Sequence, residues 1–80
     1  MLDVTAQYFA VFREQAGLDR ERIATPSNTA GELFAEVAGR HGFLDAAGRC
    51  KVAINGEMAG WDAQLNSGDV VLFFPPVAGG

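Results

Sequence analysis

The chain has 80 residues, 49% hydrophobic and 10% aromatic, with a formal net charge of −4. That is ample apolar material for one small core, which argues against intrinsic disorder, although a domain of this size buries only ~60–65% of its extended-chain surface. The six basic residues, Arg13, Arg20, Arg22, Arg40, Arg49 and Lys51, form no dense cluster, so an electrostatic footprint for nucleic acid or an anionic membrane is missing. No stretch approaches the ~20 apolar residues of a membrane span, and Asp3 with no basic region is unlike a signal peptide. The single cysteine, Cys50, cannot form an internal disulfide. Together these features lead us to expect one domain, residues 1–80, in the cytoplasm.

Residues 3–12 alternate, with Val4, Ala6, Tyr8, Ala10 and Phe12 on one face and Thr5, Gln7, Phe9 and Val11 on the other. This spacing predicts a strand, and Thr5 and Gln7 mark the second face as the wetter one. Phe9 stands out there as an aromatic on the polar side. Arg13 to Gly17 predicts a helical turn closed by glycine. Arg20 to Thr25 predicts a second strand, antiparallel to the first, and Pro26-Ser27-Asn28 a turn.

Thr29-Ala30-Gly31-Glu32 has the spacing of a capping box, in which Thr29 and Glu32 satisfy each other's backbone N–H groups at a helix start. Leu33, Phe34, Val37 and Ala38 follow as one apolar stripe. Arg40 and His41 fall in the last turn, where positive charge suits the helix dipole, and Gly42 is the expected stop. Phe43 and Leu44 are expected to tuck under the sheet, with loop from Asp45 to Gly48. Cys50 to Ile54 alternates, placing Cys50, Val52 and Ile54 inward and Lys51 outward. Asn55-Gly56 is a tight-turn signal leading into a short strand over Glu57 to Ala59. Gly60 to Leu65 is irregular, with Trp61 and Leu65 packed, and Asn66-Ser67-Gly68-Asp69 turns the chain into the final strand.

That final strand, Val70 to Phe74, is apolar throughout, the pattern of a strand covered on both faces. Pro75 and Pro76 then end the pairing, because proline offers no backbone N–H. The order is strand, strand, helix, strand, short strand, strand. If the last strand pairs with the first, the two run parallel at the sheet centre. The fold class is thus α+β, in the order of the ubiquitin-like β-grasp: a mixed sheet of four to five strands, one main helix on one face, and an extended C-terminal Gly-Gly tail.

Residues 75–80 are expected to be a flexible functional tail with Gly80 at its tip. An α-carboxyl titrates near pH ~3.5, so at neutral pH it is an anion and a poor electrophile. It needs activation, for instance as an acyl-adenylate, before it can carry sulfur or a leaving group. Gly79 and Gly80 lack a Cβ and suit a narrow channel to an activating enzyme's nucleotide. Pro75 and Pro76 restrict the arm, and Val77 and Ala78 keep it slim. Extended, residues 75–80 span at most ~20 Å.

Other chemistry finds little support. His41 is the only histidine and has no visible partner for acid–base or metal work. No Cys-x-x-Cys or zinc-ligand spacing occurs, and no glycine-rich phosphate loop follows a strand. Cys50 is expected to be an inert core thiol. The C-terminal carboxylate is the remaining candidate, with no metal and no bound cofactor expected.

On these residues the chain resembles the ubiquitin-like sulfur carriers that form the small subunit of molybdopterin synthase. The resemblance covers nearly all of the chain. Its most specific part is Gly68-Asp69 running into Phe73-Phe74-Pro75-Pro76-Val77-Ala78-Gly79-Gly80, supported by Lys51 to Met58 and Tyr8 to Glu14. Val70 departs from the pattern, since relatives commonly carry an acid there, and Trp61 is larger than expected.

The resemblance implies that Gly80 is adenylated by an ATP-using, ubiquitin-activating-like adenylyltransferase. A sulfur donor system then converts it to a thiocarboxylate. The tail would insert into the large subunit and give sulfur to cyclic pyranopterin monophosphate in molybdenum cofactor biosynthesis. The chain would be no enzyme on its own, with catalytic residues on the large subunit and a heterotetrameric assembly. Alternatives with the same tail logic are a sulfur carrier for thiamine thiazole or another thiolated product, and a ubiquitin-like protein modifier. A non-carrier adaptor is a further one.

One helix covers only one face of such a sheet. Phe9 shares the parity of Thr5 and Gln7, so it should point away from the helix. The acid that relatives carry at Val70 argues that Val70, Leu72 and Phe74 face outward too. Phe9, Met58, Leu72 and Phe74 are therefore expected to form a partner-binding patch at the root of the tail.

Overall fold

A computed structural model describes residues 1–45 and 47–76. The elements in chain order are β1 (Leu2–Tyr8), α1 (Val11–Ala16), β2 (Arg20–Thr25), α2 (Ala30–His41), a short 3-10 turn (Ala47–Arg49), β3 (Lys51–Ile54), β4 (Glu57–Ala59) and β5 (Val70–Phe74). The five strands form one sheet in the order β2-β1-β5-β3-β4. β5 pairs parallel to β1, from Thr5 opposite Val70 to Tyr8 opposite Phe73. β1–β2, β3–β5 and β3–β4 are antiparallel. This is the mixed sheet with a central parallel pair that the element order implied.

Amphipathic α2 covers one face. Thr29 caps it by accepting the Glu32 N–H at 3.2 Å, and Gly42, at φ 72°, ends it in a left-handed turn. The expected capping box is half formed: the Glu32 carboxylate takes the N–H of Asn28, at 2.7 Å, rather than that of Thr29. Leu33, Phe34 and Val37 of α2 pack on Val4, Ala6 and Tyr8 of β1, Val52 of β3, and Val71 and Phe73 of β5. Phe12 stacks on Phe43, Phe34 meets Phe12 edge-on and Phe43 at a tilt, and Phe34 meets Phe73 edge-on at 5.4 Å. Trp61, the unexpectedly large residue, lies flat against Phe73 and tilted on Phe34, closing one side of the core.

Three expectations need correction. β1 stops at Tyr8, because Ala10 turns the chain at φ 53°, a conformation uncommon outside glycine. Ala10 is consequently exposed, and Phe12 reaches the core from α1 instead of from a strand. Leu44 is 86% exposed while Phe43 alone tucks under the sheet. Ala47–Arg49 forms a 3-10 turn within what was expected to be loop.

Asn55 and Gly56 both take positive φ, at 53° and 85°, the pattern of a tight hairpin turn between β3 and β4. Asn55 also ties that hairpin to β5. Its Oδ1 accepts the Val70 N–H and its Nδ2 donates to Asp69 Oδ1, each at 2.9 Å. Asp69 in turn accepts the Asn66 N–H at 2.8 Å. The Gly68-Asp69 step thereby sets where β5 starts, and with it where the chain leaves the sheet at Pro75.

Candidate functional site

Because side chains alternate along a strand, β5 divides its apolar run between two faces. Val71 and Phe73 are fully buried under α2, whereas Val70, Leu72 and Phe74 are half-buried on the opposite, helix-free face. The parity inferred for β5 is thus the observed one. Phe9, the residue after β1, is 55% exposed, and Met58 of β4 is 61% exposed. The Phe9 and Phe74 rings meet at 5.7 Å.

Phe9, Met58 and Phe74 line an apolar cavity of about 380 Å³ together with Pro75 and Pro76. Its remaining walls are Ala10 and Lys51. Leu72 shares the face but does not line the cavity; it lies between Gln7 and Ala53 in the sheet. Ala10 and Lys51 were not singled out in the sequence. Ala10 joins the cavity only because the chain turns there, and nothing in the sequence marks that turn. Lys51 was legible as an outward residue, and its pairing opposite Phe74 explains its place. The expected tail residues Pro75 and Pro76 stand at the cavity edge, while Val77, Ala78, Gly79 and Gly80 lie outside the described residues.

A second polar group sits on the helix side. Tyr8 donates its hydroxyl to Glu21 Oε2 at 2.6 Å, and His41 Nε2 lies 2.5 Å from the same oxygen. Arg40 approaches Glu21 Oε1 at 3.6 Å and Glu36 Oε2 at 3.3 Å. Glu36 accepts from Thr25 and, at 3.3 Å, from Ser27. Burial pushes the Glu21 carboxyl up, but the hydrogen bonds from Tyr8 and His41 outweigh it and hold the group below the usual carboxylate range. Burial, followed by the Glu21 hydrogen bond, pushes the Tyr8 phenol well above its ordinary value. His41 thus has a partner that its sequence position did not reveal. The group fastens the end of α2 to β1 and β2, with its polar atoms satisfied by one another.

Cys50 is buried, 6% exposed, and desolvation pushes its thiol up, away from the reactive thiolate. Among the described residues, no group of three or more His, Cys, Asp or Glu is placed to hold a metal ion. No helix among them is long and apolar enough to cross a membrane. What the described surface offers is a helix-free apolar face with a cavity edged by Pro75 and Pro76.

Comparison with known proteins places this architecture. The ThiS family profile matches residues 6–80. The molybdopterin synthase sulfur carrier subunit of Escherichia coli (strain K12) is 34% identical over 76 residues, covering 91% of this chain and 94% of that protein. A Pyrococcus furiosus protein assigned as molybdopterin converting factor subunit 1 superposes with a TM-score of 0.78 at 36% identity, covering 96% of this chain and all of that one. Haloferax volcanii small archaeal modifier protein 1 has the same fold, with a TM-score of 0.81 at 26% identity over 96% of this chain and 100% of its own. A chain from the complex of subunits 1 and 2 of the Helicobacter pylori molybdopterin-converting factor gives a TM-score of 0.67 at 26% identity, covering 99% of this chain and 100% of that one. With its ubiquitin-like β-grasp and a match that runs from β1 to the last residue, the chain belongs to the ThiS family.

Proposed function

We propose that this chain is the sulfur carrier of a molybdopterin synthase and that Gly80 is its working residue. The observation that carries the reading is the apolar cavity of Phe9, Met58 and Phe74, which opens where Pro75 and Pro76 lead the tail away from the sheet. A partner seated there holds the domain by its rigid face while the tail extends into the partner's site. The Helicobacter pylori relative, solved as a complex of subunits 1 and 2, supports a large subunit as that partner.

In this reading the Gly80 carboxylate attacks the α-phosphorus of ATP on an adenylyltransferase, pyrophosphate leaves, and an acyl-adenylate forms. Hydrosulfide released by the donor system adds to the activated carbonyl and expels AMP, leaving the thiocarboxylate. That soft sulfur is then delivered to cyclic pyranopterin monophosphate in the large subunit, and hydrolysis returns the carboxylate. The domain itself supplies no acid–base chemistry to these steps. Its contribution is a stiff Pro75-Pro76 root, which lowers the ordering cost of docking, and a slim Val77-Ala78-Gly79-Gly80 passage. ATP belongs to the activating enzyme.

A modifier reading is favoured by the likeness to small archaeal modifier protein 1. One reconstitution separates the two. The thiocarboxylated chain, mixed with the large subunit and cyclic pyranopterin monophosphate, should yield dithiolene product and return as the carboxylate. Absence of product, with isopeptide adducts on lysines when the activated chain meets a cell extract, would replace the carrier reading by the modifier one.

A further inference from the structure

The strands that frame the cavity also sort charge by face. Side chains of outward parity include Arg20 and Arg22 on β2 and Lys51 on β3, but only one acid, Asp3 on β1. Among the strand residues of outward parity there are thus three bases and one acid, in a molecule whose net charge is −4. Asp3 approaches Arg22 at 4.0 Å. Arg20 and Lys51 have no ion pair among the described residues. Their places are fixed by register. Arg20 begins a row that continues through Gln7, Leu72 and Ala53 to Met58, crossing all five strands. Lys51 stands opposite Phe74 and lines the cavity itself.

A surface that fills this cavity packs along the Lys51 stem and brings its own rim close to the exposed ammonium. Taking an ammonium out of water is unfavourable unless an anion and hydrogen-bond acceptors replace the lost hydration. A wholly apolar occupant would leave it unpaired, and a basic one would repel it. We infer that the partner docking on the open face presents apolar side chains to the Phe9–Met58–Phe74 cavity and carboxylates to Lys51 and Arg20. The two cations set partner choice and orientation, and the apolar side chains hold the complex. With three bases against one acid at its outward strand positions and a net charge of −4 overall, this face is the one to which an acidic partner is steered. This inference rests on the docking reading given above and adds to it the charge of the partner.

The test measures binding of the full chain to the molybdopterin synthase large subunit of the same organism, by titration calorimetry at low and high salt. Arg20→Glu/Lys51→Glu should weaken binding by ~10- to 100-fold at low salt, and Arg20→Gln/Lys51→Gln by ~10-fold with a flatter salt dependence. Both side chains are exposed, and circular dichroism should show each variant folded. An affinity unchanged by charge reversal, while Phe74→Ala weakens binding, would overturn the charge inference and leave the docking reading standing. Failure of the unmodified chain to bind, or indifference to both Phe9→Ala and Phe74→Ala, would overturn the docking reading and this inference with it.

Discussion

Phe73 and Phe74 are neighbours in β5, yet they belong to different halves of the molecule. Phe73 is fully buried among Tyr8, Phe34 and Trp61, and Phe74 is half-buried against Phe9 beside the tail. One face of the sheet therefore holds the fold together and the other, on which we propose that a partner docks, stays open, with the pleat of a single strand dividing the two. An apolar run that looks uniform in sequence is split between two environments at alternate positions.

The largest consequence falls on the covered face. Phe73→Ala should remove ~3–5 kcal/mol of stability by opening a cavity under α2, read as a fall in the denaturation midpoint. A loss below ~1 kcal/mol would mean that the core collapses around the gap and that the two faces are less distinct than described. On the open face, Phe74→Ala and Phe9→Ala should each weaken binding to the large subunit by ~1–3 kcal/mol. Thermal unfolding should move little, since the side chains removed are partly solvated already. A stability loss as large as that of Phe73→Ala would place Phe74 in the core in solution.

Cys50 sharpens the division from another side. Cys50→Ala should cost ~1–2 kcal/mol as a small cavity, with sulfur donation per folded molecule unchanged. Loss of donation in a folded variant would make Cys50 a sulfur carrier itself.

The smallest effect concerns the clasp of Tyr8, Glu21 and His41. The folded-state pKa of Glu21 lies below its ordinary value of 4.5, so the folded state favours the ionised form. Its contribution is present above that ordinary value and is lost as pH falls through the depressed folded value. Glu21→Gln should flatten the acid limb of the stability profile. An unchanged acid limb in that variant would assign the acid sensitivity to other carboxylates.

Much of this arrangement was legible from local pattern. Alternation gave β3 and the body of β1, an unbroken apolar run gave β5, and Thr29, Gly42 and Asn55-Gly56 marked the ends and turns that the structure contains. The outward set on β5 needed more than periodicity, because all five residues are apolar; the acid carried by relatives at Val70 supplied the phase. What escaped was non-local or strained. Nothing in Phe9-Ala10-Val11 announces a positive φ at an alanine, so β1 was drawn too long and Phe12 was placed in the core by a strand instead of by α1. His41 and Glu21 are 20 residues apart, and only the crossing of α2 over β2 brings them together. Leu44 was expected inside on hydrophobicity alone, but after Gly42 it is Phe43 that joins the core, and Leu44 points to solvent.

In the proposed function the open face holds the partner to which a chemically activated Gly80 is presented. The most direct test of that function is intact-mass and C-terminal peptide mass spectrometry after incubation with the activating enzyme, ATP and a sulfur source. The expected result is the mass change of one oxygen replaced by sulfur, located on Gly80, and no such change in a chain lacking that residue. Sulfur found on Cys50, or normal loading of the chain without Gly80, would contradict it.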